Sequence, residues 1–149
     1  VNEEIKRRMI GKLKELCADD FNGKRIAVLG VTFKPNTDDM RDAPALTIVP
    51  ALVGGGAEVR VCDPQGKREG ERLLPGVSWI SDPYDAAKDA DLLVVLTEWN
   101  EFRALDLEAM CATMRSAAMA DLRNVYDPED IKAAGFESYI GIGRDGFGA

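Results

Sequence analysis

Short apolar runs alternate with helical stretches along almost the whole chain, and this alternation limits the fold more than any other feature. Residues 25–30 read RIAVLG, a nearly all-apolar run of the kind found in a strand covered on both faces. Further strand candidates are 57–62 (AEVRVC), 77–80 (VSWI), 91–96 (DLLVVL) and 117–120 (AAMA), with 137–140 (ESYI) a weaker sixth. Helical segments are expected at 43–53, at a short stretch near 84–88, at 106–114 and at 128–134. Asp42 before Ala43-Pro44 has the form of an N-cap followed by an early proline, and Gly54-Gly55-Gly56 has that of a helix stop. Strand–helix alternation implies a parallel sheet with helices on both faces. The expected fold is an α/β, three-layer Rossmann-like sandwich with a mostly parallel sheet of about five or six strands.

An amphipathic helix precedes this unit. Ile5, Met9, Leu13 and Leu16 recur at spacings of four, four and three, with Lys6, Arg7, Lys12 and Lys14 between them. Such a stripe needs a partner: the following domain, or a helix running in from upstream sequence. The chain starts at Val1 rather than Met, as expected of a piece of a longer protein. Expected boundaries are a helical end at 1–20, one domain at 21–140, and a flexible glycine-rich tail at 141–149.

Composition then removes whole classes of function. The 149 residues carry 19 basic and 26 acidic side chains, a net charge of −7, which argues against a nucleic-acid surface. No apolar run approaches the length needed to span a bilayer and no signal peptide opens the sequence, so a cytoplasmic protein without membrane contact is expected. There is no histidine, and Cys17, Cys62 and Cys111 are far apart with no CxxC pair. A Cys/His metal site and a disulfide framework are therefore not expected, and the commonest general base is missing.

Open α/β sheets bind ligands outside the carboxyl ends of their strands, so the loops after Gly30, Cys62, Leu96 and Ala120 are the places to search. The first reads VTFKPNTDDMRDAP. A dinucleotide fold would have G-x-G-x-x-G here, but only Gly30 is present. Lys34 could reach a phosphate or sugar hydroxyl, and Arg41 could fork onto a second phosphate near the next helix N-terminus. On spacing alone, a solvated loop in which Asp38 and Asp39 pair with Arg41 and Lys34 explains these charges better. After the fourth strand, Trp99 and Phe102 suit either stacking or packing inward over the sheet. Asp63-Pro64 could supply a ribose-binding carboxylate but reads better as a turn. Arg123, after the fifth strand, would complete a three-cation site for a diphosphate with Lys34 and Arg41.

Taken together, TFKPNTDDMRDAP at 32–44, TEWNEF at 97–102 and DLRN at 121–124 resemble, in order and spacing, the carboxyl-terminal domain of the UDP-glucose/GDP-mannose dehydrogenase family. The resemblance covers nearly the whole chain, and the Thr-Glu-Trp stretch is closer to members acting on UDP-glucose. It implies an enzyme that oxidises the C6 hydroxyl of UDP-glucose twice, with two NAD, to UDP-glucuronate through a thioester on a cysteine. By the same resemblance, Phe33, Lys34 and Arg123 are substrate-binding, and Arg41 reaches toward NAD in the assembled enzyme. NAD itself is held mainly by an amino-terminal domain outside this sequence. No catalytic residue is expected here, because none of the three cysteines lies in the family's catalytic motif, so this piece alone should be inactive. The opening helix is similar to the end of the family's central helix, which implies a homo-oligomer. Leu122 departs from the family pattern, which has glycine before the arginine. The rival readings are the same domain of a GDP-mannose or UDP-N-acetyl-sugar dehydrogenase and, from another class, a non-catalytic α/β signalling module.

Overall fold

The structure, a computed structural model, describes residues 3–32 and 43–148. Helix α1 (Glu3–Leu16) leads into β1 (Arg25–Leu29), α2 (Ala45–Gly54), β2 (Glu58–Cys62), α3 (Lys67–Leu73) and β3 (Val77–Trp79). Then come α4 (Pro83–Ala87), β4 (Leu92–Val95), α5 (Asn100–Arg103), α6 (Leu107–Thr113), β5 (Ala118–Asp121), α7 (Pro128–Ala133) and β6 (Ser138–Gly141). The six strands form one sheet in the order β3-β2-β1-β4-β5-β6, every neighbouring pair parallel. After β3 the chain crosses back to pair β4 with β1, so β1 and β4 flank the point where the winding reverses.

Side chains of one strand point alternately to the two faces, and both faces are covered. Ile26 and Val28 join Val59, Val61, Leu92 and Val94 beneath α1 and α2, in a cluster that includes Leu13, Cys17, Ile48 and Leu52. Ala27 and Leu29 join Leu93, Val95, Met119 and Tyr139 on the other face, with Phe102, Met110 and Ile131 from the helices there. Three of those helices start as the sequence suggests. Asp82, Asp106 and Asp127 each accept the backbone N–H of the second or third residue of the helix, and Pro83 and Pro128 follow directly after two of them.

Four local features differ from the sequence reading. Helix α2 begins at Ala45 with Pro44 at its N-cap and no side-chain cap, while Asp42 lies outside the described residues. Helices α3 and α5 were not expected. Apart from its last residue, α3 is polar or glycine, and its midpoint is Gly70; a Cβ there would collide with the Trp79 ring. Helix α5 is a single turn, too short for a periodic signal. Residues 141–148, expected to be a flexible tail, are tied back to β6. Tyr139 and Phe147 exchange backbone hydrogen bonds at 2.9 and 3.0 Å, and the Asn124 amide both donates to and accepts from the Ile142 backbone.

Candidate functional site

The carboxyl ends of the central strands are drawn together by backbone bonds that continue beyond the strands. Gly30 donates to the Cys62 carbonyl at 2.8 Å, Leu96 to Leu29 at 2.9 Å, and Leu122 to Val95 at 3.0 Å. Gly30 has φ +88°, and a Cβ on it would lie 2.5 Å from the Thr97 Cβ, so only glycine lets β1 and β4 close up here. Thr97 is fully buried, and its Oγ1 donates to the carbonyl of Thr32 at 2.8 Å. Thr32 directly precedes Phe33 and Lys34, and Thr97 directly precedes Glu98.

Two aspartates at strand ends spend their carboxylates on backbone. Asp63, just past β2, accepts from Val31 (2.7 Å) and Thr32 (3.3 Å) through Oδ2, and from Gln65 (2.9 Å) and Gly66 (2.6 Å) through Oδ1. The turn reading holds, with an added function: the carboxylate ties the turn after β2 to Val31 and Thr32, just past β1. With four N–H donors on its two oxygens it has no lone pair left for a ribose. This corner lacks both the glycine fingerprint and an available acid, so it does not fit a dinucleotide. Asp121, at the end of β5 and fully buried, accepts from Arg123 (3.3 Å), Val125 (3.0 Å) and Tyr126 (2.8 Å). Burial pushes its carboxyl above the usual range against the pull of those N–H groups.

Those bonds shape the loop that carries Arg123. Leu122 is buried and its φ is not positive; the left-handed residue of this turn is Asn124, at φ +52°. The leucine in the glycine's place therefore costs no strain. Arg123 is partly exposed, at 29%, and its Nη2 lies 3.3 Å from Glu98 Oε1. The other Glu98 oxygen lies 3.6 Å from Arg103 Nη2, and Arg103 also donates to the Val125 carbonyl at 3.2 Å. Glu98, Arg103 and Asp121 were not singled out from sequence. The available signal was an aspartate two residues before an arginine at a strand end.

Of the expected site residues, the structure places Arg123; Phe33, Lys34 and Arg41 lie outside the described residues. Trp99 and Phe102 are buried, which decides for packing rather than stacking. Cys62 is buried with Sγ 3.6 Å from the Ser81 carbonyl, and burial pushes its thiol, like that of Cys17, up to about 11. Neither has the character of a nucleophile. A separate cleft of ≈ 540 Å³ opens at the ends of β2 and β3, between Lys67, Trp79, Ile80 and Glu101, and Arg123 does not line it. Among the described residues no helix is long and apolar enough to cross a membrane.

A doubly wound parallel sheet, with its glycine fingerprint gone and an arginine standing at the end of β5, defines a Rossmann-like α/β domain that is not built for a dinucleotide. The profile of the UDP-glucose/GDP-mannose dehydrogenase family, UDP binding domain, matches residues 27–128, and the chain belongs to that family. It is 48% identical over 144 residues to the UDP-glucose 6-dehydrogenase of Rhizobium meliloti (strain 1021), covering 97% of this chain and 33% of that protein. Among solved structures, a UDP-glucose dehydrogenase from Pyrobaculum islandicum matches with TM-score 0.72 and 27% identity, over 85% of this chain and 28% of that one. The NDP-N-acetyl-D-galactosaminuronic acid dehydrogenase from Methanosarcina mazei Go1 matches with TM-score 0.76 and 26% identity, over 95% and 29%. The chain spans about a third of the length of these relatives.

Proposed function

We propose that this chain is the UDP-sugar-binding part of an enzyme that oxidises UDP-glucose to UDP-glucuronate, and that Arg123 binds the diphosphate. One juxtaposition carries the reading. Thr32, whose chain continues into Phe33 and Lys34, is bonded to Thr97, and the next residue, Glu98, holds Arg123. Two segments that are about 90 residues apart in sequence, as the β1–β5 connection requires, thus start from one place at the winding reversal, where α/β sheets bind ligands. Lys34 at that position would add a second cation to the same anion, and Phe33 an apolar surface beside it. Arg41 is proposed to reach the cofactor side in the assembled enzyme.

This chain would bind and orient the nucleotide diphosphate, while hydride acceptance is the chemistry NAD supplies from the amino-terminal part of the protein. The high thiol pKa values of Cys17 and Cys62 agree with a catalytic cysteine elsewhere. Central and amino-terminal domains of the same polypeptide, and a homo-oligomer, are the proposed partners, and a cytoplasmic location is proposed with them. The 48% identity to a UDP-glucose 6-dehydrogenase favours glucose over the N-acetyl sugars of the structural neighbours.

The test uses the full-length protein, with NADH formation followed on UDP-glucose, GDP-mannose and UDP-N-acetyl sugars. UDP-glucose should be the preferred substrate, and Arg123→Ala and Lys34→Ala should each weaken its binding by about 1.5–3 kcal/mol, the scale of a charge-assisted hydrogen bond. The purified 149-residue piece should form no NADH. Oxidation of GDP-mannose with UDP-glucose ignored would overturn the substrate, and unchanged affinity in both variants would overturn the site.

A further inference from the structure

We propose that Glu98 is a positioning residue for the diphosphate site: its carboxylate fixes the Arg123 guanidinium and leaves that group's other N–H donors for the ligand. The inference rests on the reading of Arg123 as a diphosphate contact. Glu98 engages Arg123 through Nη2, and among the described residues Nε and Nη1 have no acceptor. A guanidinium has five donors in a rigid fork, so one edge can be held while another meets a phosphate.

Both ends of this pair are fixed by the fold, unlike an ordinary surface ion pair. Glu98 sits between Thr97 and Trp99, both buried, with Thr97 bonded to Thr32. The Arg123 backbone N–H is held by Asp121, a fully buried carboxylate. Arg103 takes the second Glu98 oxygen and is itself tied to the Val125 carbonyl, in the loop that carries Arg123. Two guanidinium groups share the one Glu98 carboxylate, at 3.3 and 3.6 Å, so neither has it to itself and Arg123 keeps donors for an anion. The Glu98 and Arg123 side chains remain partly open to solvent, at 38% and 29%, so a ligand can reach them.

The experiment is a double-mutant cycle in the full-length enzyme, with UDP as the calorimetric probe and UDP-glucose in steady-state assays. Glu98→Ala should weaken UDP binding about 3–10-fold and raise the UDP-glucose KM more than it lowers kcat, the scale of losing one charged orienting contact. Glu98→Gln keeps one acceptor oxygen and should recover part of the loss; being isosteric, it carries the same test should the alanine variant fold poorly. In an Arg123→Ala background, Glu98→Ala should have no further effect. UDP affinity equal to or tighter than wild type in both Glu98 variants, or a Glu98 effect undiminished in that background, would overturn the positioning role. If Arg123→Ala alone weakens UDP binding while both Glu98 variants match wild type, only this inference fails; if Arg123→Ala binds UDP as well as wild type, the diphosphate reading fails and takes this inference with it.

Discussion

The carboxylate of Asp63 accepts the backbone N–H of Val31 across two strands, at 2.7 Å, and so joins the end of β2 to the first residue past the β1 turn. Its other bonds, to Thr32, Gln65 and Gly66, make it the cross-link between two loops at the carboxyl edge of the sheet. Replacing it by alanine strands donors in a partly buried place. Asp63→Ala should cost about 2–4 kcal/mol in denaturant unfolding, since each unsatisfied buried donor carries a penalty of its own. Wild-type stability in this variant would show the four bonds to be incidental.

Two glycine-to-alanine substitutions should act in opposite directions. Gly30 combines φ +88° with a Cβ position only 2.5 Å from Thr97, so Gly30→Ala should destabilise by about 2–4 kcal/mol. Gly11 lies within α1 with nothing within 4 Å of its Cβ position, so Gly11→Ala should stabilise by about 0.5–1 kcal/mol. Thermal melts of the two variants beside wild type provide the check.

At the amino end of the strands, Arg115 forks onto Asp91, with Nε 2.8 Å from Oδ1, and the Arg25 N–H adds a bond at 2.8 Å. The hydrogen bond from Arg115 holds the Asp91 carboxyl below its usual range, with burial opposing. A carboxylate whose pKa is lowered by folding contributes stability above its unfolded pKa, near 4, and that contribution is lost as pH falls through the folded value. Asp91→Asn should therefore lower stability at neutral pH and flatten the acid limb of the stability curve below about pH 5. Asp121, raised by burial, acts in the opposite sense: its contribution is lost as pH rises, so Asp121→Asn should not flatten the acid limb. Denaturant midpoints measured across the acid range distinguish the two.

The thiols should follow their burial. Cys17 and Cys62, with pKa values pushed up to about 11, should resist alkylation in the native protein near pH 8, while the less buried Cys111 reacts first. Cys62→Ser in the full-length enzyme should leave kcat unchanged. Mass spectrometry of a timed alkylation, together with the kinetics of that variant, tests both statements.

Much of the framework was legible in the residues because it depends on local patterns. IAVL in β1 and LLVV in β4 are continuous apolar runs, as expected of strands buried on both faces. The helices expected near 84–88 and at 128–134 are present, and in the structure each starts at an Asp-Pro pair whose carboxylate accepts a backbone N–H of the first turn. Helix α3 escaped notice because its glycine answers to Trp79, a residue from another element. The attachment of residues 141–148 escaped for a similar reason: glycine-rich sequence carries no periodicity, and the hydrogen bonds that hold it come from Tyr139 and Asn124.

The six strands, most of the helices between them and the lack of a dinucleotide fingerprint all follow from residue types and their spacing along the chain. That Asp63 is consumed by four N–H groups, that Asn124 takes the left-handed turn in place of Leu122, and that Glu98 lies between Arg123 and Arg103 were decided only when the sheet closed. The physical reason is range. Apolar periodicity and capping act over a few residues, whereas a carboxylate's partners depend on which strand ends become neighbours, and the sheet order sets that.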